Sequence, residues 1–205
     1  MLKKLMKIMK EQTGFTLVEL LITIALISVI LTVTVTIIIA ALRTATKTDI
    51  TTLIRQNGNY VTEQVSDTLR YASEFDGVKV HASDSWTTDC SGSSSLQYNY
   101  LSIKTQTGAP LVYYCGSDVT APTPTPTPDP NGYNTYPIAS NGAQLIDDSN
   151  IIVNSCYFTC TQTSSVDSPV VGINFTLSHR TASSFAENQV SQTFNSNTVM
   201  RNVHY

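Results

Sequence analysis

A chain of 205 residues in which only 13% are Asp, Glu, Lys or Arg has room for one modest globular domain beside any extended segment. Its net charge is −3; the first 14 residues carry +3 (four lysines against Glu11), so the remainder carries −6. An acidic remainder without clustered Lys and Arg argues against a protein that grips nucleic-acid backbones, and no specific nucleic-acid binding is expected.

In chain order, a basic leader comes first, residues 1–14, with Lys3, Lys4, Lys7 and Lys10. From Phe15 to Leu42 there follow 28 residues with a single charge, Glu19. That exceeds the roughly 20 apolar residues a helix needs to cross a bilayer. A secretory signal has an apolar core of only about 7–15 residues closed by a small-x-small site, and neither description fits. The lysines before the span and the few basic residues after it place the leader in the cytoplasm and everything past about Arg43 outside. A carboxylate near the start of such a span is costly in lipid and marks a functional site.

The run Gly14, Phe15, Thr16, Leu17, Val18, Glu19, Leu20, Leu21 resembles the class III signal of type IV prepilins and pseudopilins. The resemblance implies cleavage between Gly14 and Phe15 by a prepilin peptidase and methyltransferase, followed by N-methylation of Phe15. It implies that Glu19 acts in processing and in assembly, pairing with the free amine at Phe15 of a neighbouring subunit. It also implies partners: other pilin subunits in a homo- or hetero-polymer, the inner-membrane assembly platform and membrane lipid. The implied location is a single-pass inner-membrane protein before assembly and a surface filament afterwards.

The span continues with a Thr/Val alternation to Thr36, β-branched and a weak helix former in water. In lipid a helix is still required, and the hydroxyls can bond back to carbonyls one turn away. A local loosening over Thr32–Thr36 is expected, in keeping with the family. Over 43–75 the helix should continue and turn amphipathic, with Ile50, Leu53, Ile54, Val61, Val65, Leu69 and Ala72 recurring at spacings of three and four. Gly58 is a weak point, and Asp76-Gly77 ends the element. A helix from Phe15 to Phe75 would be about 90 Å long.

Residues 76–205 read as a β-rich head outside the cytoplasm. Strands are expected at Val78–His81, Leu96–Lys104, Leu111–Cys115, Ile151–Cys160, Pro169–Leu177 and Val190–Val203, with a hairpin connection over Thr105–Pro110. Val171, Ile173, Phe175 and Leu177 alternate with Gly172, Asn174 and Thr176, the period of a half-buried strand. The segment 121–132 alternates Pro with Thr and reads as an exposed, semi-rigid polyproline-like loop. The architecture expected is α+β: a long N-terminal helix packed on an antiparallel sheet.

All four cysteines, Cys90, Cys115, Cys156 and Cys160, fall on the outer side, and an even count there suggests two disulfides. Three pairings are open. Closeness along the chain favours Cys90 with Cys115 and Cys156 with Cys160, although the second would need a turn or bulge near Tyr157-Phe158, because four residues of strand span about 13 Å. Zinc is the weaker alternative, without a CxxC pair or a His at ligand spacing.

No catalytic pattern stands out, and the chain is expected not to be an enzyme and to need no metal or other cofactor. His81, His179 and His204 are scattered, and neither a nucleophile elbow nor a phosphate-binding loop occurs. Asp147 and Asp148 read as a solvated turn. Asn174-Phe175-Thr176 fits an N-glycosylation acceptor but sits mid-strand. Tyr98, Tyr100, Tyr113, Tyr114, Tyr133 and Tyr136 suit core and cross-strand packing better than a sticky patch. The function expected is a structural subunit of a type IV pilus-like filament, with a minor pilin favoured by the disulfide-bearing head. A pseudopilin of a type II secretion or competence (DNA-uptake) system would share the same N-terminus. A membrane-anchored surface protein that never polymerises would need no cleavage.

Overall fold

The long helix forms and stops five residues short of Phe75. In the computed structural model, which describes residues 15–92, 96–116, 138–146, 149–180 and 188–201, helix α1 is Leu17–Arg70. The leader 1–14, with Gly14, and the Pro/Thr segment 121–132 lie outside the described residues, as do Asp147, Asp148, Tyr133, Tyr136 and His204. The chain divides into two compact units, with the division between Ala45 and Thr46.

In the first unit every described residue is exposed. Its apolar stretch has a mean hydropathy of 2.8 and qualifies by length and composition to cross a membrane. The Thr/Val stretch stays helical, so the loosening expected over Thr32–Thr36 is absent. Thr32 donates to the Val29 carbonyl at 2.8 Å, Thr34 to Ile30 at 2.8 Å and Thr36 to Val33 at 2.7 Å. Bonded to their own helix, these hydroxyls carry little polarity to a lipid or helical neighbour.

In the second unit α1 buries Ile50, Ile54, Val61, Val65 and Leu69 of the stripe that the three-and-four spacing predicts, and Gly58 with them; Leu53 is half-buried, and Ala72 is buried beyond the helix end. After Arg70 the chain enters β1 (Glu74–Lys79), where a helix ending at Asp76-Gly77 was expected. The sheet takes these residues because Phe75 and Val78 can be buried opposite Ile103 and Leu101 of β2 (Tyr100–Lys104). Gly77 is no helix cap; it sits at φ 125° in a bulge of β1, where a Cβ would meet the Thr87 carbonyl oxygen at 2.6 Å. Ser73 holds the crossing, its N–H donating to the Lys104 carbonyl at 2.9 Å and its hydroxyl to that of Thr105 at 2.7 Å.

The remaining strands are β3 (Pro110–Cys115), β4 (Ile138–Ser140), β5 (Ala143–Gln144), β6 (Ile151–Thr161), β7 (Val170–His179) and β8 (Ser191–Val199). They form two antiparallel sheets, a five-stranded meander β1-β2-β3-β4-β5 and a three-stranded β6-β7-β8. The Thr105–Pro110 connection is the expected hairpin, with Gly108 at φ 79°. Of the strand expected from Leu96, only Tyr100 onward joins β2; Tyr98 instead exchanges two backbone bonds with Phe158 of β6, at 2.9 and 2.7 Å. Val171, Ile173, Phe175 and Leu177 face the core as their alternation predicts. The head is thus α+β, an amphipathic helix on antiparallel sheets.

At Gly58 helix and sheet come close together. A Cβ added there would fall among the ring atoms of Phe194 on β8, and that ring stacks on Phe175 with centroids 5.2 Å apart. Glycine in mid-helix costs about 1 kcal/mol relative to alanine, and here the close approach accounts for it. Gly58→Val is expected to destabilise the head by about 3 kcal/mol through overpacking. Thermal melts of Gly58→Ala, Phe194→Ala and the double variant check the contact: the double should lose less than the sum of the singles. Strict additivity would show that the two residues do not meet.

Candidate functional site

The processing and assembly residues lie at the start of α1. Phe15 and Thr16 precede the first helical residue, Leu17. Thr16 is the N-cap: its Oγ1 accepts the Glu19 N–H at 3.3 Å and its carbonyl accepts the Leu20 N–H at 3.2 Å. Thr16-Leu17-Val18-Glu19 therefore has the pattern of a capping box, a signal present in the sequence as Thr-x-x-Glu that the motif reading passed over. A carboxylate in the first turn is also placed well toward the positive end of the helix dipole.

Among the described residues nothing covers this segment. Phe15 is 73% exposed and Leu17 75%, and Glu19 is exposed with no ion-pair partner among the described residues. Leu20, Leu21, Ile22 and Ile24 are likewise open. An apolar face of this extent is stable only in lipid or against like helices.

The cysteines are paired, though not by nearness along the chain. Cys90 bonds Cys160, with Cα atoms 5.7 Å apart, and Cys115 bonds Cys156, with Cα atoms 5.3 Å apart. The expected Cys90–Cys115 and Cys156–Cys160 bridges do not form. Cys156 and Cys160 stand on one face of β6, in unbroken register with β7 from Phe175 to Val171, so they keep the separation of about 13 Å that an extended strand imposes. The bulge of β6 falls at Val153/Ser155, too early to bring them together. With all four sulfurs in disulfides, none is left as a zinc thiolate. The loop around Cys90 is held further by Gln162, whose Oε1 accepts the Cys90 N–H at 2.7 Å while its Nε2 donates to the Asp167 carbonyl at 2.6 Å.

The other singled-out residues are structural. Tyr98, Tyr100, Tyr113 and Tyr114 are buried, and Tyr100 faces Tyr114 across the β2–β3 ladder with ring centroids 4.9 Å apart. Tyr113 donates to Thr68 Oγ1 at 2.9 Å, tying β3 to α1, and burial pushes its phenol above the ordinary 10.0. Asn174 lies in the central strand of its sheet, opposite Tyr157 and Asn195. His81 and His179 belong to no cluster of metal-ligating side chains among the described residues.

Residues 9–41 match the family model of the prokaryotic N-terminal methylation motif. This N-terminal segment carries the class III signal of type IV prepilins and pseudopilins, and the helix with its antiparallel sheets gives the chain a pilin-like architecture. The motif supports a pilin-like or pseudopilin subunit, a structural component, and the apolar helix it opens fits an inner-membrane anchor. Comparisons with curated proteins and with solved structures find no match.

Proposed function

We propose that the chain is a subunit of a type IV pilus-like filament, cut after Gly14, N-methylated at Phe15 and assembled by bundling of its N-terminal helices. The observation that carries this reading is Glu19: an exposed carboxylate without an ion-pair partner among the described residues, in the first turn of an apolar helix that bears the methylation motif. Burying a lone carboxylate in a helix bundle costs several kcal/mol, and the new ammonium at Phe15 of an adjacent subunit supplies the missing charge. Pairing at that one depth would also fix the axial register of the filament. The head, with its two disulfides, favours a minor subunit placed at low copy number.

The test is the intact mass and N-terminal sequence of the protein from membranes and from sheared surface fibres. A chain beginning at methylated Phe15 and present in the fibres is expected, in substoichiometric amount. A chain retaining its leader and confined to membranes would overturn the proposal. A bulky residue at Gly14 should leave the leader mass in place, and Gly14→Ala should be tolerated in part.

A further inference from the structure

Four strand edges bound the two sheets, and three of them are blunted. β1 carries Glu74, Asp76 and Lys79, is bulged at Phe75/Gly77, and spends the outer side of Val78 on Thr87, with bonds of 3.0 and 2.8 Å. β5 is two residues long. β6 is bulged at Val153/Ser155 and is occupied at Phe158 by Tyr98. Charges, bulges, short length and cover are the usual devices that keep an edge from pairing with another chain.

Among the described residues β8 has none of them. Its nine residues, Ser191 to Val199, contain no charge and no proline, and its register with β7 is unbroken from Ser191↔Ser178 to Val199↔Val170. Among the described residues no backbone bond of Ser191–Val199 leads anywhere but to β7. Every second residue of this strand therefore turns an N–H and a C=O to the side away from β7, where no described residue bonds them. The strand is also firmly seated, because its inner face is roofed by α1: Gln192 accepts from Arg55 Nε at 3.4 Å, Phe194 lies under Gly58, and Ser196 meets Ser66 at 2.7 Å.

The side chains say what fits. The solvent face of β8 is Ser191, Thr193, Asn195, Asn197 and Val199, all exposed and all neutral. Cross-strand pairs with such residues favour Thr, Ser, Asn and Val, whereas a charged neighbour would find no counter-charge on the strand and would lose hydration. We infer that β8 is an acceptor edge for an extended, uncharged peptide strand of another chain, added to the three-stranded sheet by backbone pairing. Affinity would come from main-chain bonds and selectivity from neutrality and β-branching. The inference does not depend on the filament reading.

The test uses the full chain in detergent micelles and an end-capped synthetic peptide, Ser-Gln-Thr-Phe-Asn-Ser-Asn-Thr-Val, which has the neutral β-rich composition the edge selects. A second peptide is identical except for N-methyl groups on alternate residues, which remove backbone donors and leave the side chains unchanged. Amide hydrogen exchange read by NMR should slow at every second residue of β8 with the first peptide, and the methylated one should bind at least about tenfold more weakly. Equal binding of the two peptides, or binding of neither, overturns the inference. Protection of the same amides in the peptide-free monomer overturns it as well, because the chain would then be covering its own edge.

Discussion

Glu19→Val is expected to leave the protein in the membrane and to remove it from the fibres. The two effects separate because the carboxylate acts against one process and for the other. During insertion a charge in the apolar run is a cost, of the order of 3 kcal/mol for an acidic residue at mid-span and less near its end, so valine inserts at least as well as glutamate. In the assembly proposed above the carboxylate would meet the Phe15 ammonium of its neighbour, and valine would leave that ammonium buried and alone, a loss of several kcal/mol. Glu19→Gln keeps the size and a hydrogen-bonding tip but not the charge, and is expected to fail in the same way. Fibre and membrane fractions quantified against wild type provide the measurement. A fibre content near wild type for either variant would show that the charge plays no part in incorporation. Because Thr16 caps the helix through the backbone N–H of Glu19 and not through its side chain, neither substitution removes that bond.

Which features were legible in the sequence follows from how local their signals are. The span is a matter of composition over a window, and the motif fixes residue types at constant offsets, so both could be read before any fold was known. The stripe from Ile50 to Leu69 is local too, since a helix places residues three and four apart on one side whatever it packs against. The end of α1 was misread because Asp76-Gly77 has two meanings. A glycine with positive φ closes a helix or bulges a strand equally well, and the choice was made at a distance, by Phe75 and Val78 finding β2. The open edge of β8 was invisible for the same reason: a strand becomes an edge only through the order in which strands pair. Thr16 shows the opposite failure. Its capping role was written in four consecutive residues and went unread beneath the stronger processing motif.

The disulfides give the second large effect. Cys90–Cys160 closes a loop of 70 residues and Cys115–Cys156 one of 41. By chain entropy each should stabilise the head by about 4 kcal/mol, whereas bridges between neighbours along the chain would have closed shorter loops. Both bonds end on β6, and both lead to the other half of the head: Cys115 closes β3 of the five-stranded sheet, and Cys90 ends the segment that runs on from β1. Among the described residues the Tyr98–Phe158 exchange is the backbone pair between those halves, and Gln162 accepts the Cys90 N–H across them. The covalent links add to the attachment that the shared apolar core provides, in which Ile103 and Tyr113 join Phe158 and Ile173. Replacing Cys115 and Cys156 together by serine is expected to lower the melting temperature by roughly 10 °C, and replacing Cys90 and Cys160 by a similar amount. Removing either bridge should also raise amide exchange across β1–β5 ahead of β6–β8, since the smaller sheet keeps its long ladders and its roof under α1. Peptide mapping without reductant checks the connectivity directly. A peptide joining Cys156 to Cys160 would contradict the strand geometry, and a melting temperature unchanged by either double replacement would show that the two sheets hold together without the sulfurs.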